Sequence, residues 1–353
     1  MLSIYDRQIV DVGTLVIERG PTVKYRRLGR TELRVSELGF GTGSMGGLMV
    51  RGDYREMVDT IARAMELGVN YFDTARDYGD GKAESNLGAV LRELKADVYV
   101  ATKVRLAASE MEHIEKGVIE SVEGSLRCLK RDYVDLIQLH NPIGIQRQPR
   151  RGYVGVDDVE TVFLAFEALQ RKGYIRHWGI TGLGETEALR QTVDLRTGHT
   201  LQSCYNLLNP SAFYTVPDEF PFQDYCGLID RASGRDVGVI AIRVLAGGAL
   251  SGTSHRHPNA DPNLPPIGTS ETYPEDVDRA RTFNFLLRRG YADNLPEAAI
   301  RFAISNPNVS TTLVGFSSLE QLDQAVEAVA KGPFPEEALS QIAEEPWKLH
   351  SKR

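Results

Sequence analysis

The chain has 353 residues, with 41 Lys and Arg against 48 Asp and Glu, a net charge of −7, 42% apolar and 25% charged residues. This composition is ordinary for a soluble globular protein. No basic run exceeds the short cluster Arg147-Gln148-Pro149-Arg150-Arg151, so no nucleic-acid partner is expected; no run of about eighteen apolar residues exists, so no membrane span is expected.

The first 24 residues form an N-terminal extension, in which Thr14-Leu15-Val16-Ile17 reads as an extra strand. Asp6, Arg7, Asp11 and Glu18 interrupt any signal-peptide core. Tyr25 to Ser36 reads as a β-hairpin around a Gly turn. Leu38-Gly39-Phe40-Gly41-Thr42-Gly43 is a glycine-rich strand, a pattern that admits another group close to the backbone. From Asp53 onward strand and helix alternate. Asp53-Tyr54-Arg55-Glu56 has capping-box spacing and opens a helix to about Leu67. Strands are expected at 69–73, 98–102, 133–139, 177–181, 201–205, 237–244 and 310–314, after the first at 38–42. Helices are expected at 82–95, 110–130, from 156 to 172, at 185–194, ending near 235, and at 275–289 and 295–305. Ser318-Leu319-Glu320-Gln321 is a second capping box, opening a helix to about Ala330, and a last helix covers 335–346. Residues 251–274, rich in Pro, His, Asn and Ser, read as one long loop.

Eight strands, nearly all followed by a helix, predict a closed (β/α)8 barrel, the TIM-barrel architecture, with an N-terminal β-hairpin and residues 1–353 in a single domain. An open doubly wound sheet would carry G-x-G-x-x-G before its first helix, and Gly39-x-Gly41-x-Gly43 lacks that spacing. Cys128, Cys204 and Cys226 are odd in number and far apart, which gives neither a disulfide framework nor a zinc site and fits a reduced, cytoplasmic setting.

Barrel enzymes place their chemistry at the C-terminal ends of the strands. There the sequence sets Asp73, with Tyr78 in the loop beyond it, then Lys103, then His140. Taken singly, these read as a capping carboxylate, a solvated lysine and a hydrogen-bonded structural histidine. Together they read as catalytic. A phenol titrates near 10, too high for an easy donor. A neighbouring ammonium is expected to lower it, with Asp73 fixing Lys103 and His140 orienting a carbonyl oxygen or relaying the proton. Such a quartet needs no metal. It does need a hydride donor, which no side chain supplies, so a nicotinamide is implied.

The motifs Leu38-Gly-Phe-Gly-Thr42, Gly68-Val-Asn-Tyr-Phe-Asp-Thr-Ala-Arg-Asp-Tyr-Gly79, Ala101-Thr-Lys103, Asp135-Leu-Ile-Gln-Leu-His140, Gly173-Tyr-Ile-Arg-His-Trp-Gly179 and Leu245-Ala-Gly-Gly-Ala-Leu250 resemble those of the aldo-keto reductase family, from about Tyr25 to Ala330. The resemblance implies the catalytic tetrad Asp73, Tyr78, Lys103 and His140. It also implies NADP(H), with NAD(H) as the alternative, held in extended form without a Rossmann domain. Its cofactor contacts would fall at Thr42, Gly43, Asp73, Thr181, Gln202, Ile242, Arg243, Leu245, Gly247, Gly315, Ser317 and Gln321.

The sequence departs from that family in places. Gly182 stands where an Asn usually follows the Ser or Thr that holds the carboxamide. Ile242 and Arg243 replace an aromatic residue and a Ser, and Arg243 reads equally as a pyrophosphate contact or an outward ion pair. The Lys and Arg that often grip the adenosine phosphate are absent, and Asp323 adds negative charge there. The expected substrate is a small carbonyl compound, an aldose among the candidates; Met45, Met49, Tyr205, Phe213 and Tyr214 are candidate walls, or core. Arg150, Arg151 or Arg243 would favour a polar or anionic substrate. Two other classes compete. One is a nicotinamide-binding regulatory or scaffold subunit, like the family's channel-associated members. The other is a metal hydrolase using His255 and His257 with Asp261.

Overall fold

A computed structural model describes residues 23–195, 197–263 and 271–348. The strand expected at 14–17 lies outside the described residues. β1 (Tyr25–Arg27) and β2 (Arg34–Ser36) pair antiparallel as the expected hairpin. β3 (Leu38–Gly41) then enters the barrel. In chain order there follow α1 (Leu48–Arg51), α2 (Tyr54–Glu66), β4 (Tyr71–Asp73), α3 (Lys82–Glu93), β5 (Tyr99–Val104), α4 (Ile114–Leu129) and β6 (Val134–Leu139). β7 (Ile143–Gly144) and β8 (Val154–Gly155) form a small side pair, and α5 (Val156–Arg171) and β9 (Ile175–Gly182) come next. The chain continues through α6 (Thr186–Asp194), β10 (Thr200–Cys204), α7 (Leu228–Ser233), β11 (Gly238–Ile242), α8 (Tyr273–Arg281), α9 (Phe285–Arg288), α10 (Leu295–Ile304), β12 (Val309–Gly315), α11 (Leu319–Ala330) and α12 (Glu336–Lys348).

β3, β4, β5, β6, β9, β10, β11 and β12 close into one parallel barrel, with β12 pairing β3. This is the (β/α)8 barrel that the alternation predicted. Strand β6 shows why: all six of its residues are buried, because one face packs on the barrel interior and the other on the helices. The helices begin where side chains cap them. Asp53 accepts from the Arg55 backbone at 2.8 Å to start α2, and Asn294 accepts from Glu297 at 2.9 Å to start α10.

The hairpin closes the N-terminal end of the barrel. Leu28 and Val35 are buried. Gly29 has φ +48° and lies so near β11 that an added Cβ would come within 2.2 Å of the Gly238 nitrogen. Arg26 latches it, with Nη1 donating to the carbonyls of Asn306 (3.0 Å) and Val309 (2.8 Å) and Nη2 to Ile304 (2.8 Å).

Some boundaries differ from expectation. β9 starts two residues before the expected 177. β11 stops at Ile242 instead of Val244, because Arg243 takes φ 57° and turns the chain out of the sheet. The helix expected at 275–289 is broken by a tighter turn over Thr282–Asn284. Among the described residues no helix is long and apolar enough to cross a membrane.

Candidate active site

Asp73 is the last residue of β4, and Lys103 lies on the neighbouring β5, two residues past the Asp73 partner Ala101. Both side chains are about 1% exposed, and the Lys103 ammonium donates to Asp73 Oδ1. It also donates to the Thr74 carbonyl at 2.8 Å. The other carboxylate oxygen, Oδ2, accepts from Gln202 Nε2 at 2.7 Å, and Thr181 Oγ1 donates to Gln202 Oε1 at 3.3 Å. Thus β4, β5, β9 and β10 are tied together through one buried polar chain. Tyr78 sits over it, with Lys103 Nζ 4.9 Å from its ring centroid and the His140 ring edge-on at 5.8 Å. The tetrad expected from the sequence is one cluster at the C-terminal rim.

The electrostatics correct one expectation. Burial lifts the Tyr78 phenol above its ordinary value, and the Lys103 ammonium only partly opposes it. Burial is the largest effect: it outweighs the Lys103 ammonium, and the negative charge of Asp73 adds to it. Burial works against the Lys103 charge, but Asp73 and Tyr78 outweigh it and hold the amine above an ordinary lysine. Tyr78 is therefore a protonated donor and Lys103 a permanent cation at neutral pH.

His140, just past β6, is 8% exposed. Its burial pulls the imidazole below its ordinary value, and Asp77 opposes the fall. His140 Nδ1 lies 3.3 Å from Asp77 Oδ1, and Arg105 Nη1 lies 3.3 Å from Asp77 Oδ2. Neither Asp77 nor Arg105 was singled out from sequence. The signal was present: Asp77 precedes Tyr78, and Arg105 follows Lys103 by two residues, just past the end of β5.

The expected cofactor residues line the rest of the rim, at the ends of β3, β9, β10, β11 and β12. Thr42 Oγ1 is buried without a hydrogen-bond partner among the described residues. Ile242 closes β11 at 9% exposure. Arg243 makes no ion pair or side-chain hydrogen bond among the described residues; its carbonyl accepts from Asn206 Nδ2 at 2.9 Å and from the Ala246 backbone at 2.8 Å. Leu245 leads into a tight turn in which Gly247 has φ 67°. Gly315 pairs Gly41 across the barrel seam. Ser317 and Gln321 are engaged internally: Ser317 Oγ donates to the Gly46 carbonyl at 2.6 Å, and Gln321 Oε1 accepts from the Ser317 backbone at 2.9 Å. Asp323, expected to repel a phosphate, is answered by Arg63 at 2.9 Å. A buried hydroxyl and a guanidinium that have no partner among the described residues, with a glycine-lined main chain, suit an extended anionic ligand.

In the loop after β11, residues 256–261 are pinned by two arginines. Arg256 donates to the carbonyls of Asp261 (2.7 Å), Gly247 (2.8 Å) and Met45 (3.3 Å), and Arg51 Nε donates to that of Asn259 at 2.7 Å. This straps residues 256–261 across residues 44–47. Tyr205 stacks on Phe302 at 4.9 Å and Met49 is 1% exposed, so both are core; Phe213 and Tyr214 pack against that core, while Met45 stays 37% exposed. Among the described residues no group of three or more His, Cys, Asp or Glu could hold a metal, and His257 Nδ1 instead accepts from Asn259 at 3.1 Å.

A closed barrel with an aspartate, a tyrosine, a lysine and a histidine at its C-terminal rim defines a class of oxidoreductase. The model of the aldo/keto reductase family matches residues 37–345, and the chain belongs to that family. It is similar to the L-galactose dehydrogenase of Arabidopsis thaliana, 28% identical over 318 residues covering 88% of this chain and 89% of that protein. It is similar to a probable voltage-gated potassium channel subunit beta of Oryza sativa, 27% identical over 329 residues covering 87% and 91%. The holo form of aldo-keto reductase AKR11C1 from Bacillus halodurans superposes with a TM-score of 0.65 at 28% identity, covering 91% of this chain and 96% of that one.

Proposed function

We propose that the chain interconverts aldehydes or ketones and alcohols with NAD(P)(H), using Tyr78 as general acid and base. The observation that supports this most is the Lys103 ammonium, fixed between Asp73 Oδ1 and the Thr74 carbonyl and set beside the phenol and His140. The nicotinamide supplies or accepts the hydride when bound. The rest is the work of the side chains. Tyr78 gives its proton to the carbonyl oxygen during reduction. Lys103 stabilises the phenolate left behind, and Asp73 with Gln202 keeps Lys103 in place. His140 orients the oxygen. Thr42, Gly43, Ile242, Arg243, Leu245, Gly247, Gly315, Ser317 and Gln321 form the cofactor rim, with Thr181 and Gln202 at its nicotinamide end. We favour NADP(H) over NAD(H) on family frequency, and a small carbonyl compound as substrate, in the cytoplasm.

The similarity to proteins named as channel beta subunits favours a second reading, a nicotinamide-binding subunit with little turnover. One experiment separates them: NADPH and NADH oxidation with a panel of aldehydes and aldoses, for wild type and Tyr78→Phe. Turnover in the wild type that falls by about 10²–10⁴ in the variant, with cofactor affinity kept, supports the reductase. Tight cofactor binding with no turnover in either supports the subunit.

A further inference from the structure

We infer that the cleft between the loop after β4 and helix α4 is a subsite for a substrate carboxylate, gripped by Arg76 and Arg105, so that the preferred substrates are oxo acids rather than neutral aldehydes. This rests on the reductase reading above and names a substrate class for it.

The cleft has a volume of about 280 Å³ and is lined by Arg76, Asp77, Lys103, Arg105 and Ser121. Clefts that hold drug-sized ligands run to roughly 300–1,000 Å³, so this one suits a small group. Two of its walls adjoin the tetrad. Lys103 is the amine bound to Asp73, and Asp77 Oδ1 lies 3.3 Å from His140 Nδ1. A substrate whose carbonyl meets Tyr78 and His140 has this cleft beside it.

The charges decide what the cleft takes. Lys103 is answered by Asp73, and Arg105 by Asp77, whose Oδ2 lies 3.3 Å from Arg105 Nη1. Arg76 is exposed and makes no ion pair among the described residues; its Nη1 donates to the Ser121 carbonyl at 3.5 Å, a long contact. Glu84, whose carboxyl feels the Arg76 charge, is wholly buried and held against β5, where Thr102 Oγ1 donates to it at 2.5 Å. One guanidinium is thus left over in the wall. A single negative charge balances it, whereas a dianion would meet Asp77. The planar fork of a guanidinium matches a carboxylate with two parallel N–H donors.

Helix α4 makes the seat for Arg76. A Cβ added at Gly124 would lie 1.6 Å from Arg76 Nη1, so only glycine lets the guanidinium rest there. Glycine weakens a helix interior relative to alanine, and here the room it leaves is filled by a cation.

The test compares ω-oxo carboxylates with n-alkanals of the same chain length, with NADPH or NADH, in the wild type, Arg76→Gln, Arg76→Lys and Gly124→Ala. Gly124→Ala removes no charge. Its methyl displaces the tip of a flexible side chain and gives α4 a better helix former, so the fold is kept. The wild type should favour the acid by about tenfold or more in kcat/KM at the best chain length. Arg76→Gln and Gly124→Ala should each raise KM for the acids by about tenfold with kcat kept, because the carboxylate is held alike in ground and transition states. The alkanals should be unchanged. Arg76→Lys should restore the acids in part, and added salt should erode the preference. Equal kcat/KM for acids and alkanals overturns the inference. So does an acid preference that survives both substitutions, or a preference for glyceraldehyde 3-phosphate over every oxo acid. A wild type that turns over no aldehyde defeats the reductase reading. Calorimetry of glutarate against glutaramide on the NADPH-loaded protein then still decides the subsite: binding of glutarate alone, lost in Arg76→Gln, supports it, and no binding of glutarate overturns it.

Discussion

Replacing Lys103 by Met should destabilise the protein in a strongly pH-dependent way. The Lys103–Asp73 pair is buried at about 1% exposure on both sides, so the substitution leaves a carboxylate with only Gln202 as partner. Breaking a buried pair from one side costs about 3–5 kcal/mol. The upper bound is set by proton uptake, because Asp73 can shed its charge. Keeping a carboxyl protonated at pH 7, when its unfolded value is about 3.9, costs about 4 kcal/mol; at pH 5 it costs about 1.5 kcal/mol. The variant should therefore lose about 3–4 kcal/mol at pH 7 and no more than about 1.5 kcal/mol at pH 5. Adding Asp73→Asn should recover most of the loss, since no charge then remains to be buried. Urea unfolding followed by tryptophan fluorescence at the two pH values measures this. Equal losses at pH 5 and pH 7, or a double variant less stable than the single one, would refute the reasoning.

Other outcomes follow from single contacts. An alanine Cβ at Gly46 would meet the Phe316 backbone nitrogen at 2.6 Å and its oxygen at 2.8 Å, so Gly46→Ala must lift residues 44–47 off the end of β12. NADPH titration by fluorescence should show affinity reduced by about tenfold, a shift of about 1.4 kcal/mol; an unchanged Kd would contradict the placement of the cofactor rim. His199 is held down at about 4 by burial, the neighbouring His177 and Arg30, and its Nδ1 accepts from the Trp178 backbone at 3.1 Å. Its folded value lies below the unfolded 6.5, so the unfolded chain binds the extra proton and stability falls as pH drops from 6.5 towards 4. After allowance for solvent screening this amounts to about 2 kcal/mol, and the slope should flatten in His199→Gln. Arg26→Ala should cost about 2–4 kcal/mol in chemical denaturation, and Arg26→Lys should not rescue it, because one fork serves three carbonyls and Glu37.

The barrel was legible because its signal is repeated. Each strand end and each cap is local, and eight alternations leave few other topologies. The tetrad was legible for the same reason, since a strand end fixes which rim a residue reaches. The sign of the Tyr78 shift was not, because it depends first on how deeply the phenol lies and then on how Lys103 and Asp73 face it, and spacing holds neither quantity. Gln202 was read as a cofactor contact, and its hold on Asp73 appears only when β10 faces β4 across the barrel. The early end of β11 was hidden as well: Arg243 carries no preference for positive φ, so only the surrounding turn imposes it. The anchors of residues 256–261 are main-chain carbonyls, which leave no trace in composition.

The seam between β12 and β3 has a consequence for how this protein comes into being. Residues 38–41 pair with residues 312–315, so the oldest and youngest parts of the sheet meet. A nascent chain still short of Val309 has two raw strand edges and a rim missing one side. Such an intermediate is exposed to misassociation during translation. Competence should arrive abruptly, once the final strand leaves the ribosome, rather than growing with each added unit.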